Sequence, residues 1–302
     1  MFGKQLNGKA QSMKDFKGKV AVITGAGRGM GRGIALHCAK KGMKIVLADI
    51  RLESLTSTEA DLQALGAETL LMQTDVSRLA DVENLAKKSY EKFGAVDLLV
   101  NNAGVSAAST VLESSLDDWN WIMGVNFYGM LYGIRAFVPR MIEQDTVGYV
   151  VNIASMAGVV EAIDAYHVSK QAAVALTESL YHDLADSAPQ IKVSVYLPGL
   201  VNTELYRAEE SRPTRFNKTN ITSNTNDEHK DIKDFFSKYG FSIEEAVRVL
   251  FEGLAQEKLY IGPMEFQKQS PKILDVIQKR AENIVKELNP EHPRDIGPTN
   301  PA

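Results

Sequence analysis

Short runs of apolar and β-branched residues alternate along this chain with longer stretches whose apolar positions recur every three to four residues. The short runs predict strands over residues 20–24, 44–48, 68–74, 98–101, 149–154, 192–197 and 259–261. The periodic stretches predict helices over 29–41, 52–65, 79–93, 117–143, 165–185 and 243–257. Repeated strand–helix–strand units imply one α/β domain, a doubly wound parallel sheet covered on both faces with right-handed crossovers. In such sheets ligands bind beyond the carboxyl ends of the strands, where strand order reverses.

Two segments stand outside this alternation. Residues 204–239 are polar and poor in apolar side chains, and a loop of that length in a compact domain is a lid or a disordered segment. Residues 270–288 carry Ile273, Ile277, Ala281, Ile284 and Leu288 at helical spacing, with Pro271 suited to a first helical turn. That stripe packs either on its own core or on a neighbouring subunit, and the proline-rich tail beyond Pro290 is expected to fray.

Composition narrows the possibilities. The 302 residues suffice for one large α/β core, and 24% charged with 44% hydrophobic residues is ordinary for a globular protein. A net charge of −4 gives no reason to expect nucleic acid or an anionic membrane as partner. No apolar run approaches the roughly 20 residues that span a bilayer, and the first residues lack a hydrophobic signal core. The single cysteine, Cys38, lies in a helical pattern and reads as buried packing, and the five histidines show no metal-ligand spacing. These features are those expected in the cytoplasm, with no metal.

The first chemical signal follows the first strand. Residues 19–24 lead into Gly25-x-x-x-Gly29-x-Gly31 and then a helix, an arrangement that lets backbone approach a pyrophosphate and aims a helix N-terminus at its charge. Asp49 ends the second strand eighteen residues beyond Gly31, near the offset of a carboxylate that takes the adenosine ribose hydroxyls. Glycines alone would be a flexible turn; strand, helix and acid together point to a nucleotide.

The second signal is Tyr166-x-x-x-Lys170, preceded eleven residues earlier by Ser155. On a helix, the i,i+4 spacing puts Tyr166 and Lys170 on one face, and the cation is expected to pull the phenol pKa of about 10 downward. This is a proton-transfer set. A serine-hydrolase reading fails locally, because Ile153-Ala-Ser155-Met-Ala157 lacks the glycines of a nucleophile elbow. Each residue has a duller alternative: Ser155 as a strand end, Asn126 as a helix cap or kink, Asp75 as a turn residue, His167 as a bystander.

Taken in order, these motifs resemble those of the short-chain dehydrogenase/reductase family, over residues 19–263. Thr24 to Gly31, with Arg28, Gly29 and Met30, resembles its cofactor loop; Asp49, Ile50 and Arg51 stand at the ribose position, and Asp75-Val76 at the adenine pair. Asn102-Ala103-Gly104 follows the fourth strand, Asn126 stands at the fourth catalytic position beside Ser155, Tyr166 and Lys170, and Pro198, Gly199, Val201 and Thr203 resemble the nicotinamide loop. The resemblance implies a Rossmann-type fold: an extension over 1–18, a catalytic domain over 19–263 with a substrate lid at 204–240, and a C-terminal helix and tail over 264–302.

It also implies reversible hydride transfer between a nicotinamide cofactor and a small-molecule secondary alcohol or ketone. Tyr166 would be the acid/base, Ser155 the donor to the carbonyl oxygen, Lys170 a grip on the nicotinamide ribose, and Asn126 a side chain holding a water that links Lys170 to solvent. NAD is expected over NADP, because Asp49 occupies the place of a 2′-phosphate, although Arg28 or Arg51 could reach one. Homotetramers or homodimers paired through helices 117–143 and 165–185 are expected. The interval from Ser155 to Tyr166 is short for the family, so family substrates transfer poorly. Two other readings stand beside this one: a cofactor-binding regulator or scaffold, against which the intact tetrad argues, and a lyase or dehalogenase on the same fold, whose members usually lose the lysine or the nicotinamide site.

Overall fold

The computed structural model of the chain describes residues 16–107, 110–217, 226–266 and 272–289. The strands are β1 (Val20–Thr24), β2 (Lys44–Asp49), β3 (Thr69–Gln73), β4 (Leu98–Asn101), β5 (Gly148–Ile153), β6 (Ile191–Tyr196) and β7 (Tyr260–Ile261). They form one parallel sheet in the order β3-β2-β1-β4-β5-β6-β7. Strand order therefore reverses between β1 and β4, where Ile23 pairs with Val100 and the chain leaves both strands in the same direction.

The sequence makes this sheet two-sided. Along β1, Val20 and Val22 enter one core while Ala21 and Ile23 enter the other, and β2 divides likewise into Val46 and Ala48 against Ile45 and Leu47. Because successive side chains point to opposite faces, a strand covered on both sides must be apolar throughout. Helices α1 (Gly29–Lys40), α2 (Leu52–Ala64) and, later in the chain, α8 (Ile243–Ala255) cover one face through Ile34, Leu55 and Leu250; α3 (Leu79–Phe93) begins the other with Leu85 and Tyr90. Cys38 is a packing residue of the first face, fully buried, and burial pushes its thiol pKa up.

The helix expected over 117–143 is α4 (Leu116–Met123) and α5 (Gly129–Glu143), joined by a π-helical turn, Gly124–Tyr128. The two glycines allow the wide turn to press on the end of the third β–α connection. A Cβ on Gly129 would come within 2.8 Å of Val76, and one on Gly124 within 3.1 Å of Ser77. A capping box between Ser115 and Asp118 fixes where α4 begins. Helix α6 (Ala165–Ser187) lies beside α5 on the same face and starts at an Asp164 cap.

The described parts of 204–239 are more regular than their polarity predicts: they form a 3-10 segment, Leu205–Ser211, and helix α7 (Asn226–Tyr239), while residues 218–225 lie outside the described set. Acids at the start of α7, Lys238 at its end and the spacing of Phe235, Phe236 and Tyr239 are the helical signals that low overall hydropathy hides. Helix α8 (Ile243–Ala255) opens with a second capping box, Ser242 with Glu245; the short α9 (Pro263–Phe266) and then α10 (Ile273–Val285) follow. Ile273 and Ile277 of α10 rest on the core of their own chain, while Ile284 and Leu288 are exposed. Residues 1–15, Pro271 and the tail from Pro290 lie outside the described residues.

Candidate functional site

At the strand-order switch the turn after β1 is bolted to the turn after β4. Thr24 Oγ1 accepts from the Asn102 and Ala103 amides, at 3.0 Å each, and Asn102 Nδ2 donates to the carbonyls of Thr24 and Gly25. Glycine is required at two points of this turn. Gly25 has φ +63° and a Cβ there would meet Ala103 Cα at 2.8 Å; a Cβ on Gly31 would lie 2.0 Å from the Gly25 carbonyl oxygen. Helix α1 begins at Gly29 with no side-chain cap from Arg28, so its first amides point outward with no capping side chain in the way. This glycine-walled turn ahead of a helix N-terminus fits a diphosphate.

Asp49 closes the turn from the side of β2, its two carboxylate oxygens accepting from the amides of Gly27 and Arg51 at 3.0 Å each. The lid segment then supplies a set of ion pairs across this end of the cleft. Glu210 pairs with Arg51 at 2.9 Å, Arg207 at 2.6 Å and Arg28 at 3.6 Å. Arg215 pairs with Asp75 at 2.7 Å and donates to Ser77 Oγ. Between these two latches Arg212 is buried, bonded to Asp118 at 2.5 Å and to Glu209, with its guanidinium over Trp121. Burial works against the Asp118 charge, yet hydrogen bonds from Arg212 and Ser115 hold its carboxyl below the usual range.

The other end of the cleft is built from β5 and α6. Ser155 leaves β5 in an extended conformation, accepts from the Ala157 amide at 3.1 Å and bonds the Tyr166 phenol. Lys170, 4% exposed, donates to the Ile153 carbonyl at 3.0 Å, with its ammonium 5.6 Å from the Tyr166 ring centre. The expected lowering of the phenol by the lysine is not what this geometry gives. Burial pushes Tyr166 up, the Ser155 hydrogen bond working against it and the Asp164 charge adding to it, and burial brings Lys170 down to about 8. For both groups burial is the leading cause, and neither is shifted by the charge of the other.

Asn126 is buried in the π-helical turn and its amide is committed to protein. Oδ1 accepts from the Val105 amide at 2.8 Å, and Nδ2 donates to the Val105 carbonyl and to Ser169 Oγ, each at 2.9 Å. It thereby ties the segment after Asn102-Ala103-Gly104 to α6. The loop from Pro198 is held by the Met156 amide donating to the Pro198 carbonyl and by a bridge between Val201 and Phe241.

One cleft gathers these groups, running from the glycine turn to Tyr166 and Lys170. Every residue chosen from the sequence lines it except Gly31, Arg51 and Asn126, which support it from behind or from its rim. Sequence reasoning missed an apolar group, Val105, Trp121, Val125, Leu205, Ala208 and Phe236, and it missed Arg212 and Glu210. Nothing in the spacing of those two distinguishes them from other surface charges of a polar segment. Among the described residues there is no cluster of three or more His, Cys, Asp or Glu that could hold a metal, and no helix is long and apolar enough to cross a membrane.

Comparison with known proteins bears on the chemistry. Residues 19–214 match the family model of the short chain dehydrogenases. A CLA biosynthesis dehydrogenase/reductase of Lactiplantibacillus plantarum is 34% identical over 290 residues, 92% of this chain and 97% of that one. A C alpha-dehydrogenase of a Sphingobium species is 30% identical, covering 92% and 89%. The crystal structure of a short chain dehydrogenase/reductase from Burkholderia phymatum in complex with NAD superposes with a TM-score of 0.85 at 39% identity, over 93% of this chain and 99% of that one. The chain belongs to the short-chain dehydrogenase/reductase family, and is an oxidoreductase that moves hydride between a nicotinamide cofactor and an alcohol or ketone.

Proposed function

We propose that the cleft binds NAD in preference to NADP and that Tyr166 exchanges a proton with the substrate oxygen. The observation that carries this reading is the convergence of Ser155, Tyr166 and Lys170 in the same cleft as the glycine turn and Asp49. Gly25, Arg28, Gly29, Met30 and Gly31 would hold the diphosphate; Asp49, Ile50 and Arg51 the ribose; and Asp75 with Val76 the adenine. Asn102, Ala103, Gly104, Pro198, Gly199, Val201 and Thr203, with Tyr166 and Lys170, would hold the nicotinamide half. When bound, the nicotinamide supplies the hydride donor or acceptor.

Tyr166 donates its proton in reduction and takes one in oxidation, and Ser155 hydrogen-bonds the same oxygen as charge develops. Lys170, buried in the same cleft, would grip the nicotinamide ribose. Asn126 acts as a positioning residue, through its bonds to Val105 and Ser169. The apolar group from Val105 to Phe236 supports a substrate with an apolar, uncharged body. At Asp49, a 2′-phosphate would meet a carboxylate; at an effective dielectric near 20, one charge pair at 4 Å costs about 4 kcal/mol before screening.

The catalytic unit is residues 19–263, with 204–240 as its lid and 264–302 as an appendage. We further assign it to a homo-oligomer, dimer or tetramer, paired through α5 and α6, with Tyr128 exposed just before α5 and Tyr181 exposed on α6. A light-scattering mass near one chain at micromolar concentration would exclude that assembly. The functional test is a panel of secondary alcohols and ketones followed by nicotinamide absorbance with each cofactor. The expected outcome is turnover of uncharged substrates that improves with apolar size and a higher specificity constant with NAD(H). Turnover confined to charged substrates would overturn the substrate reading, and a preference for NADP(H) would overturn the cofactor reading.

A further inference from the structure

Two arginines stand where a 2′-phosphate could be received, and both are occupied. Arg51 follows Asp49 by two residues and gives its Nη1 to Glu210 Oε2 at 2.9 Å. Arg28 belongs to the glycine turn; its Nη1 lies 3.6 Å from the same oxygen, and its Nη2 donates to the Arg207 carbonyl and Ser211 Oγ. Arg207 approaches the other Glu210 oxygen at 2.6 Å, so a single carboxylate serves three guanidinium groups. Burial raises the energy of the Glu210 charge, but the bonds from Arg207 and Arg51 and the nearby charge of Arg28 keep it ionised. Guanidinium groups pair with carboxylate and phosphate by the same bidentate geometry, so the two anions compete for the same donors.

We propose that Glu210 is a cofactor-specificity residue: it occupies Arg28 and Arg51 and so withholds from a 2′-phosphate the two cations able to receive it. The inference rests on the NAD reading of this cleft, and it divides the selection between two carboxylates. Asp49 repels the phosphate from the ribose position, and Glu210, carried on the lid segment, removes its attractors. Cofactor choice in this chain is then a property of the lid as well as of the β2 terminus. A lid contact that merely anchored residues 205–211 would affect both cofactors equally.

The test uses the full chain and two adenosine fragments that lack nicotinamide, AMP and adenosine 2′,5′-bisphosphate, with dissociation constants measured by calorimetry. Four proteins complete a cycle: wild type, Glu210→Gln, Arg51→Ala and the double variant. The expected result is that Glu210→Gln improves bisphosphate binding relative to AMP by about two- to fivefold, the scale of one partly exposed ion pair. Arg51→Ala should leave that ratio nearly unchanged in wild type and remove most of the gain in the Glu210→Gln background, the more distant Arg28 keeping the remainder. If Glu210→Gln weakens both fragments in parallel, or if Arg51→Ala alone depresses bisphosphate binding, the proposal is wrong. Wild-type preference between NAD(H) and NADP(H) is a separate measurement: a preference for NADP(H) sinks the NAD reading, whereas only the fragment cycle decides the role of Glu210.

Discussion

The two ends of the cleft use charge in opposite ways. At the glycine-turn end, Arg28, Arg51, Glu204, Glu210, Asp75 and Arg215 form partly exposed pairs, with side-chain exposures of 34% and 36% for Arg51 and Glu210. At the tyrosine end, Lys170 is the one cation of the catalytic set and it is 4% exposed, beside Asn126 at 1% and Ser169 at none. Exposed pairs are screened and individually weak, so selection there has to be distributed over several groups. In the dry end a single proton or charge carries a large energy, and single substitutions should be decisive.

The sharpest way to break this contrast is to remove one proton at the dry end. Tyr166→Phe keeps the ring and takes away the phenol hydrogen. Turnover should fall by about 10²–10⁴-fold, the usual scale of positioned acid–base groups, while cofactor affinity changes little. Retention of more than about a tenth of wild-type turnover, with the chemical step limiting, would show that Tyr166 does not carry the proton.

Between the two ends sits Arg212, which belongs to the charged lid but is buried like the catalytic lysine. Arg212→Met leaves Asp118 without its cation in a dry site, a change that costs about 3 kcal/mol. Urea unfolding should register the loss, and limited proteolysis should cut within residues 205–217 more quickly. Adding Asp118→Asn should recover part of the stability, because the stranded charge is what costs most. Equal stability of Arg212→Met and wild type would mean that the pair is effectively wet.

Most of the frame was legible in the sequence because parallel strands covered on both faces must be apolar at every position, and such runs are visible without a structure. Val20–Thr24 and Leu98–Asn101 are cases where the predicted and observed limits coincide. The π-helical turn around Asn126 was not legible, since its side-chain spacing differs from a continuous helix by one residue that hydrophobic periodicity does not resolve. Nor were Glu210 and Arg212, whose partners Arg51 and Asp118 lie far away in sequence. The motif spacing did point to Tyr166 and Lys170, but the direction of their shifts depends on burial, which i,i+4 spacing says nothing about.

That burial yields a third prediction, about stability and pH. Lys170 falls to about 8 in the folded chain from 10.5 for the free side chain. Below pH 8 both states carry the proton and the fold bears the cost of a buried ammonium. Between pH 8 and 10.5 the unfolded chain binds the extra proton, so stability rises with pH, and above 10.5 the cost is gone. The gap corresponds to about 3 kcal/mol at most. Lys170→Met should therefore stabilise the cofactor-free protein at pH 7, flatten this slope and lose activity. A destabilised variant with the slope intact would place the ammonium in water.

The smallest expected effect belongs to the exposed end, and salt is the probe that reaches it alone. Raising ionic strength from 0.05 to 0.5 M shortens the screening length to well under 10 Å and weakens pairs such as Arg51–Glu210 and Arg215–Asp75, each worth about 0–1 kcal/mol. Because these pairs hold residues 205–215 across the glycine-turn end, the dissociation constant for NADH should rise by only about two- to fivefold. Turnover at saturating cofactor should stay constant, since Lys170, the cation of the catalytic set, is buried away from the screening ions. Arg215→Ala removes one latch in advance, so its salt dependence should be shallower than that of wild type. A fall in saturated turnover with salt would mean that the tyrosine end is as open to solvent as the other, and the contrast between them would not stand.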